Sequence, residues 1–357
     1  MTRAYLNRVS VAVPEHEVHD TFVHFAERLL QDRRSRLLFD RMVSRSEIKQ
    51  RWSCLAPARE GSNNSLDVDG FYTAGNFPTT AERMSRYERE APELAMKAVG
   101  RLGLGETNRQ ITHLIVTSCT GLSAPGVDLE LMRRCNFNPS IERTVVGFMG
   151  CNAAINALKL ARHIVRSDPD SKVLIVSVEL CTLHLQESGD IERLLSFLLF
   201  GDGCSAALIS AEPLGFALDR FHAEVVSEAV EQITWTIRDS GFDMVLSGKV
   251  PTTLSQALRE GSDRVMGGQS VDSIDLWAVH PGGRTILDAV QGAFNLGEST
   301  LATSRAVLRD FGNMSSPTVM FVLEAMLREN IPAGARGCAM AFGPGLTAET
   351  MLFTAAS

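Results

Sequence analysis

The sequence predicts an α/β fold made of two related halves. Short apolar runs rich in β-branched residues alternate with helical patterns, and the order strand, helix, strand occurs twice along the chain. From Ser118, at the end of one run, to Cys151, at the start of a helical pattern, is 33 residues, and the same 33 residues separate His280 from Asn313. Equal intervals at equivalent points indicate a duplicated βαβ plan, although two matching intervals also arise by chance.

Four apolar runs bounded by turn residues predict buried strands, and two longer patterns with helical spacing predict helices. The strands cover 112–118, 172–178, 274–280 and 338–342, and the helices cover 151–165 and 315–330. The chain before residue 105 differs, because it is rich in Arg and Glu and contains the polar stretch 59–78. We expect this region to form helices and a long loop that cover one face of the molecule.

Composition and charge narrow the classes of function. The 357 residues, 45% hydrophobic and 22% charged, are enough for one large domain or two closely packed domains. A net charge of -7 argues against a nucleic-acid partner, which needs a concentrated positive surface. The first residues lack the apolar core of a secretory signal, and no apolar run is long enough to span a membrane. We therefore expect a soluble, cytoplasmic protein.

The cysteines bear on redox and metal chemistry. All seven are widely spaced and most lie in apolar runs, which fits buried thiols in a reducing compartment better than a disulfide framework. Cys181 and His184 have the two-residue gap of a metal-ligand pair, but no second pair lies nearby in the sequence to complete four ligands. We therefore expect no metal site.

Cys151 is a candidate nucleophile, because it lies between a glycine-containing bend and a helical pattern. A thiol at a helix start feels the positive end of the peptide dipoles, and a nearby imidazole can take its proton, so both favour the thiolate. The small residues Gly147, Gly150, Ala153 and Ala154 leave room for the sharp turn of a nucleophile elbow. Taken alone, Cys151 also fits an ordinary buried thiol at a tight turn.

His280 and Asn313 are the other two candidates. His280 ends an apolar run and precedes Pro281, Gly282 and Gly283, where a ligand can lie against the backbone. Asn313 begins a helical pattern, where an Asn is also a common cap. A duplicated fold brings such positions together near its pseudo-twofold axis. A cysteine, a histidine and an asparagine at one point can form an acyl-thioester and stabilise a developing enolate.

At these residues the chain resembles the type III polyketide synthases, the chalcone synthase family of the thiolase superfamily. The matching motifs are GC at Cys151, WAVHPGG at His280, GNMSS at Asn313 and FGPGLTAE at 342–349. The resemblance spans nearly the whole chain. The GNMSS and GPG motifs separate this family from the related ketoacyl synthases.

The resemblance implies a thiolase-like five-layer αβαβα fold, with an N-terminal half over 1–212 and a C-terminal half over 213–357, in a homodimer. It implies that Cys151 accepts an acyl group from a CoA thioester. It further implies that malonyl-CoA loses carbon dioxide while His280 and Asn313 hold its thioester oxygen, and that the enolate extends the acyl chain several times. In the resemblance His280 is also expected to keep Cys151 ionised. The resemblance implies no cofactor besides the CoA substrates and no acyl carrier protein.

The resemblance also assigns the gate and the CoA contacts. Phe200, in LLFGDG, matches a phenylalanine between the CoA tunnel and the cavity. The implied CoA contacts are Arg41, Arg45, Gly282 and Gly283. The two arginines match the family's basic segment that meets the CoA phosphates, although lone basic residues usually belong to a solvated face. Leu38 occupies a position that is basic in chalcone synthase, which weakens the implied phosphate contact.

The implied pocket residues depart from the plant pattern. They are Cys119, Ala124, His184, Trp235, Met244, Ser315 and Gly345. Trp235 stands where the plant enzyme has glycine, so we expect its indole to close one lobe of the cavity, whereas Ala124 and Ser315 open others. Ala124 replaces a larger residue that crosses the dimer interface in the family.

The first hundred residues and the segment 178–186 are most similar to bacterial members that use long fatty acyl starters and make alkylresorcinols or alkylpyrones. Bacterial members that make small aromatics such as phloroglucinol or tetrahydroxynaphthalene are the near alternative. A single-condensation ketoacyl synthase or hydroxymethylglutaryl-CoA synthase is disfavoured by GNMSS and FGPGLTAE. A hydrolase that uses Cys151 would release free acid without malonyl-CoA, and a silent interaction subunit is disfavoured by the intact Cys151, His280 and Asn313.

Overall fold

A computed structural model of the protein describes residues 2–58 and 64–356. The strands are β1 (Tyr5–Ala12), β2 (His16–Glu17), β3 (Trp52–Ser53), β4 (His113–Ser118), β5 (Glu142–Gly147), β6 (Val173–Leu180), β7 (Asp202–Ser210), β8 (Phe216–Val225), β9 (Ile233–Arg238), β10 (Gly241–Leu246), β11 (Leu276–Val279), β12 (Arg336–Gly343) and β13 (Thr347–Ala355). The α-helices are α1 (His19–Leu29), α2 (Arg33–Arg45), α3 (Thr80–Leu102), α4 (Val127–Arg134), α5 (Ala153–Ser167), α6 (Ile191–Leu199), α7 (Val250–Glu260), α8 (Ser262–Met266), α9 (Arg284–Phe294), α10 (Ala302–Phe311) and α11 (Thr318–Leu327).

The strand order reveals the duplication. Within the described residues, nine strands form one mixed sheet in the order β11-β12-β13-β8-β1-β7-β6-β4-β5. On one side β7 is antiparallel to β1 and to β6, and β6 is parallel to β4. On the other side β13 is antiparallel to β8 and to β12, and β12 is parallel to β11. The second set repeats the first, which confirms the predicted duplication, and it places His280 directly after β11 as Ser118 ends β4.

Alternate residues of β4 and of β12 point into different cores, as the two-residue period of a strand requires. In β4, Leu114 and Val116 pack in a cluster with α1, α3 and α6, whereas Ile115 packs in a central cluster with α5 and α11. In β12, Ala339 faces the central cluster and Met340 faces a third cluster with α7 and α9. The sheet halves therefore lie between three helix layers, which confirms the five-layer αβαβα prediction.

The predicted elements are largely where the sequence places them. Strands β4, β6, β11 and β12 fall on the four predicted strands, and α1, α2 and α3 lie in the region before residue 105. Residues 59–63, part of the predicted long loop, lie outside the described residues. The rest of that loop, 64–78, forms turns and isolated bridges.

One prediction about the second central helix is wrong. Asn313 does not begin a helix, because α11 starts five residues later at Thr318. Ser315 has φ of 59°, a left-handed conformation that a helix excludes, and Pro317 directly precedes the first helical residue. Asn313 therefore lies in a bend before α11, where its side chain is free of a capping role.

Candidate active site

A cavity of about 780 Å³ opens between α2, α6 and the loop before α9, and it collects most of the predicted site residues. The predicted residues that line it are Cys151, His280, Asn313, Phe200, Cys119, His184, Trp235, Met244, Ser315, Arg41, Arg45, Gly282 and Gly283. They come from both halves of the chain. The cavity therefore lies where the two halves meet.

Cys151 lies in a sharp turn between β5 and α5. Phe148 and Gly150 both have positive φ, 58° and 74°, and a single 3-10 turn, Gly150–Asn152, leads into the helix. A Cβ on Gly150 would lie 2.1 Å from Cδ of Pro344, so only glycine fits this position. The turn presents Cys151 to the cavity immediately before the N-terminus of α5, which is the predicted elbow.

His280 follows β11 and is held there by its backbone. Its N–H donates to the carbonyl oxygen of Met340 at 2.8 Å, and its side chain is only 1% exposed. Neither Nδ1 nor Nε2 has a hydrogen-bond partner among the described residues. Burial lowers the pKa of His280 to about 3. Two unpaired nitrogens in a buried ring that lines a cavity are available to a ligand.

The backbone of Asn313 is joined to the Phe200 segment. Its N–H donates to the carbonyl oxygen of Leu199 at 2.8 Å, and its carbonyl oxygen accepts from the N–H of Gly201 at 3.0 Å. The carbonyl oxygen of Phe200 also accepts from Nη1 of the fully buried Arg51 at 2.9 Å. The sequence analysis gave no role to Arg51, although it lies in the same segment as Arg41 and Arg45. Backbone hydrogen bonds therefore join the predicted gate segment to Asn313.

The side chain of Asn313 lies between the other two candidates. Its Oδ1 accepts from the N–H of Ser315 at 2.8 Å and lies 4.0 Å from Sγ of Cys151. Its Nδ2 donates to the carbonyl oxygen of Gly282, two residues after His280, at 3.3 Å. These bonds fix the orientation of the amide, because the oxygen faces one donor and the nitrogen faces an acceptor. The structure thus brings Cys151, His280 and Asn313 to one place.

Burial dominates the electrostatics of the thiol. It raises the pKa of Cys151 to about 11, and the charge of Glu179 raises it further, while hydrogen bonds with Ser315 and Asn313 lower it. Glu179 is fully buried beneath the site and accepts from Ser316 at 2.6 Å and from Thr120 at 2.8 Å. Burial raises the pKa of Glu179 to about 7. The sequence contains no motif that marks this carboxyl group.

One wall of the cavity is aromatic. The ring of His184 stacks on Phe242 with centroids 4.1 Å apart and meets Trp235 edge-on at 5.5 Å. Nδ1 of His184 accepts from the N–H of Phe242, so Nε2 carries the proton and donates to the carbonyl oxygen of Thr120 at 2.6 Å. The indole of Trp235 donates to the carbonyl oxygen of Cys119 at 2.7 Å. This wall is therefore rigid, and His184 has no nitrogen left for chemistry.

The same bonds bear on the metal question. Both ring nitrogens of His184 are used, so it cannot pair with Cys181 on a metal ion. Among the described residues, no group of three or more His, Cys, Asp or Glu side chains has the arrangement of a metal site. In the same part of the chain, none of the helices combines the length and apolar character needed to cross a bilayer.

Two predicted pocket residues do not line the cavity. Ala124 lies on an exposed loop before α4. Gly345 is the last residue of the GPG bend, where its N–H donates to the carbonyl oxygen of Ile233 at 2.8 Å. The preceding residues of that bend, Gly343 and Pro344, line the cavity instead. Within this motif the bend turns the first two residues, and not Gly345, toward the cavity.

The cavity mouth is more basic than the sequence motifs indicated. Arg193 on α6 and Arg284 at the start of α9 line it together with Arg41 and Arg45. Nε of Arg284 is buried and has no hydrogen-bond partner among the described residues. Sequence reasoning missed Arg193 and Arg284, because they are distant in sequence from the basic segment and only the fold unites them.

Comparison with known proteins identifies the family of the chain. The family model of the N-terminal domain of chalcone and stilbene synthases matches residues 3–213, and that of the C-terminal domain matches 218–357. The chain belongs to the chalcone and stilbene synthase family. As a member of this family it is a type III polyketide synthase, an acyltransferase that performs decarboxylative condensation.

Several members of the family are similar over most of their length. The alpha-pyrone synthesis polyketide synthase-like Pks18 of Mycobacterium tuberculosis is 35% identical over 288 residues, which cover 77% of this chain and 73% of that protein. Polyketide synthase PKS-I of the brown alga Ectocarpus siliculosus has a TM-score of 0.89 at 28% identity, with 99% of each chain covered. The 1,3,6,8-tetrahydroxynaphthalene synthase of Streptomyces coelicolor A3(2) has a TM-score of 0.86 at 26% identity, with 100% of each chain covered.

Proposed function

We propose that this type III polyketide synthase loads an acyl group from a CoA thioester onto Cys151 and extends it several times with malonyl-CoA. The single observation that supports this assignment best is the convergence of Cys151, the unpaired His280 and the oriented amide of Asn313 in one cavity. In the loading step the thiolate attacks the thioester carbonyl, and the CoA thiolate leaves. The acyl group is then held beside the position where the enolate forms.

Extension needs a site for the thioester oxygen of malonyl-CoA. Nε2 of His280, when protonated, and Nδ2 of Asn313 supply two donors on one side of the cavity. As the bond to the carboxylate breaks, carbon dioxide leaves and its electron pair becomes the enolate, which the two donors stabilise. The enolate carbon then attacks the acyl-Cys151 carbonyl, a carbon–carbon bond forms and the Cys151 thiolate is released for the next round.

We propose that His280 also keeps Cys151 ionised. Each group alone is held neutral by burial, since the thiol pKa is raised to about 11 and the imidazole pKa is lowered to about 3. Transfer of the thiol proton to the imidazole creates two opposite charges with no net buried charge, and their attraction is strong in an apolar site. The N-terminus of α5 stabilises the thiolate further.

CoA itself is proposed to bind at the mouth. We propose that Arg41 and Arg45, which line the mouth, bind its phosphates and that its pantetheine arm passes along Gly282 and Gly283. Phe200 is 7% exposed at the inner end of this mouth, where we propose that it gates the passage to the cavity. Substrates on CoA make an acyl carrier protein unnecessary, and this chemistry requires no further cofactor or metal.

For the product we propose an alkylresorcinol or alkylpyrone built from a long-chain starter. The similarity to an alpha-pyrone synthesis protein supports this class, and the 780 Å³ cavity with its leucine-rich approach offers an apolar path. Cys119, His184, Trp235, Met244 and Ser315 would shape it. A small-aromatic synthase is the alternative, favoured by the similarity to tetrahydroxynaphthalene synthase.

We propose that the protein is a cytoplasmic homodimer. We also propose that each chain consists of an N-terminal half, 1–212, and a C-terminal half, 213–357. The unpaired cysteines fit a reducing compartment. Strand β5 is a sheet edge, and exposed apolar residues lie beside it: Leu122 is 48%, Val145 is 50% and Met149 is 41% exposed. Such a patch on a sheet edge favours pairing with a second copy. Ala124 lies next to this patch, so a role in the pocket would have to come through the dimer.

The test is mass spectrometry of products from purified protein given malonyl-CoA and a ladder of acyl-CoA starters. Cys151→Ala should abolish all products, while Cys135→Ala, outside the cavity, should leave them unchanged. Products that gain several two-carbon units support the proposal, and the best starter reports the length of the cavity. A single added unit would instead indicate a one-step ketoacyl synthase, and free acid alone would indicate a hydrolase.

A further inference from the structure

Helix α2 has an outward face, and several residues of that face do not line the cavity in which we place the reaction. Of its thirteen residues only Phe39 is buried. Five arginines lie on the helix, in a chain whose net charge is -7. Leu37 and Leu38 are 52% and 47% exposed, an adjacent pair of large apolar side chains in water. We propose that this face docks on the surface of an anionic lipid bilayer.

Helical geometry places these residues on one face. At 100° per residue, Arg34, Leu37 and Arg41 lie within about 40° of the direction opposite Phe39. Arg33, Arg45 and Leu38 flank them. Among the described residues, Arg33 and Arg34 make no hydrogen bond or salt bridge through their guanidinium groups. The face thus presents unpaired positive charge around two leucines.

The exposed leucines indicate which kind of anionic partner fits this face best. An acidic protein or a nucleic acid would pair with the arginines but would leave Leu37 in a polar contact. A bilayer satisfies both, since arginines reach the lipid phosphates while leucines enter the boundary of the acyl chains.

Helix α2 borders the cavity mouth, so a membrane contact through this helix affects how substrates reach the cavity. Leu38, Arg41, Met42 and Arg45 line the cavity mouth. Docking through the outward face of α2 would therefore hold the mouth at the lipid surface, where an amphipathic thioester arrives and an alkylated product departs. The docking does not depend on which starter the enzyme prefers.

Sedimentation of the full-length protein with lipid vesicles tests the proposal. The probes are vesicles of phosphatidylcholine alone and of equal parts phosphatidylcholine and phosphatidylglycerol, at low and high salt. The test variants are Leu37→Glu and the double change Arg33→Gln with Arg34→Gln, since none of these residues lines the cavity. The matched controls are Leu214→Glu, at 49% exposure, and Arg133→Gln with Arg328→Gln, whose side chains are 71% and 74% exposed.

We expect binding to the mixed vesicles that weakens with salt, and little binding to phosphatidylcholine alone. Each arginine removed should weaken binding about fivefold, and Leu37→Glu should weaken it at least about tenfold, with both controls unchanged. Condensation of a short acyl-CoA in the absence of vesicles should be the same in all variants, so failure here is separate from failure of the proposed function. No binding to mixed vesicles, equal losses in the controls, or binding insensitive to Leu37→Glu would overturn the proposal.

Discussion

Replacing His280 by glutamine separates two accounts of how Cys151 becomes nucleophilic. In the first account His280 takes the thiol proton, so the thiolate exists at neutral pH. In the second account the thiol ionises alone, against the burial that raises its pKa to about 11. Glutamine is close to histidine in size and can still hydrogen-bond, but it cannot accept the proton. We expect His280→Gln to move the ionisation of Cys151 from neutral pH to near 11.

The magnitude follows from that pKa. With a pKa of about 11, only about one thiol in 10⁴ is ionised at pH 7, since each pH step below the pKa lowers the thiolate tenfold. If His280 takes the proton in the unmodified enzyme, as proposed, a large fraction of Cys151 is thiolate at the same pH. Alkylation at pH 7 should therefore slow by about 10³- to 10⁴-fold in His280→Gln, and the two rates should converge as the pH approaches 11.

The assay is the pH dependence of iodoacetamide alkylation, followed by peptide mapping so that each cysteine is measured separately. His163→Gln, an exposed histidine on α5, is the matched control and should behave like the unmodified enzyme. Cys151 should label before Cys119 and Cys204 at neutral pH, since both are buried and burial raises their pKa well above the usual value. If the unmodified enzyme and His280→Gln share one profile that rises tenfold per pH step up to 11, the histidine does not ionise Cys151.

Three further changes test the wall, the elbow and the buried carboxyl. Trp235→Gly should open the lobe beside Cys119 and lengthen the accepted starters, and an unchanged product profile would exclude the indole from the pocket. Asn152→Ala removes the 2.7 Å bond to Thr347 that ties the elbow to the GPG bend, and it should cost about 1–3 kcal/mol in urea unfolding; Thr347→Ser, which keeps the hydroxyl, should lose little. Glu179, with a pKa raised to about 7, holds its proton more tightly when folded, so it lowers stability by about 3 kcal/mol as pH rises from about 4.5 to 7. Glu179→Gln should make the thermal unfolding midpoint depend less on pH over that range. If the midpoint changes with pH equally in the variant and in the unmodified enzyme, the carboxyl group does not titrate there.

The fold was predictable where the sequence pattern has one physical cause. Strands such as β4 are buried on both faces, so they read as continuous apolar runs, and the alanine-rich start of α5 allows close packing in the central layer. The pairing of β1 with β8 was not predictable. It rests on two residue pairs, Tyr5 with Ala217 and Leu6 with Phe216, and no local pattern specifies a partner more than 200 residues away.

Some residues of the candidate site could also be located from the sequence, and others could not. Cys151 and His280 follow glycine-marked turns, so local sequence locates them. Arg51 and Glu179 do not, because a buried charge reads in sequence as one more polar residue and only the folded neighbours reveal what it holds. The departure at Asn313 has a conformational cause, since the left-handed Ser315 delays the helix that the apolar pattern predicted.

The duplication explains how one cavity receives groups with different tasks. Strands β4 and β11 are equivalent, yet the residues that follow them differ: β4 leads to Cys119, whose carbonyl oxygen anchors the wall at Trp235, whereas β11 leads to His280 with its nitrogens unpaired. The central helices differ likewise, because the turn before α5 presents a thiol and the bend before α11 presents an amide. The two halves of the chain thus bring two strand ends, after β4 and β11, and two helix starts, before α5 and α11, to one cavity. Each strand end or helix start carries its own residues. One of them can therefore form a wall of the cavity while another carries a reactive group, and the core beneath both stays the same.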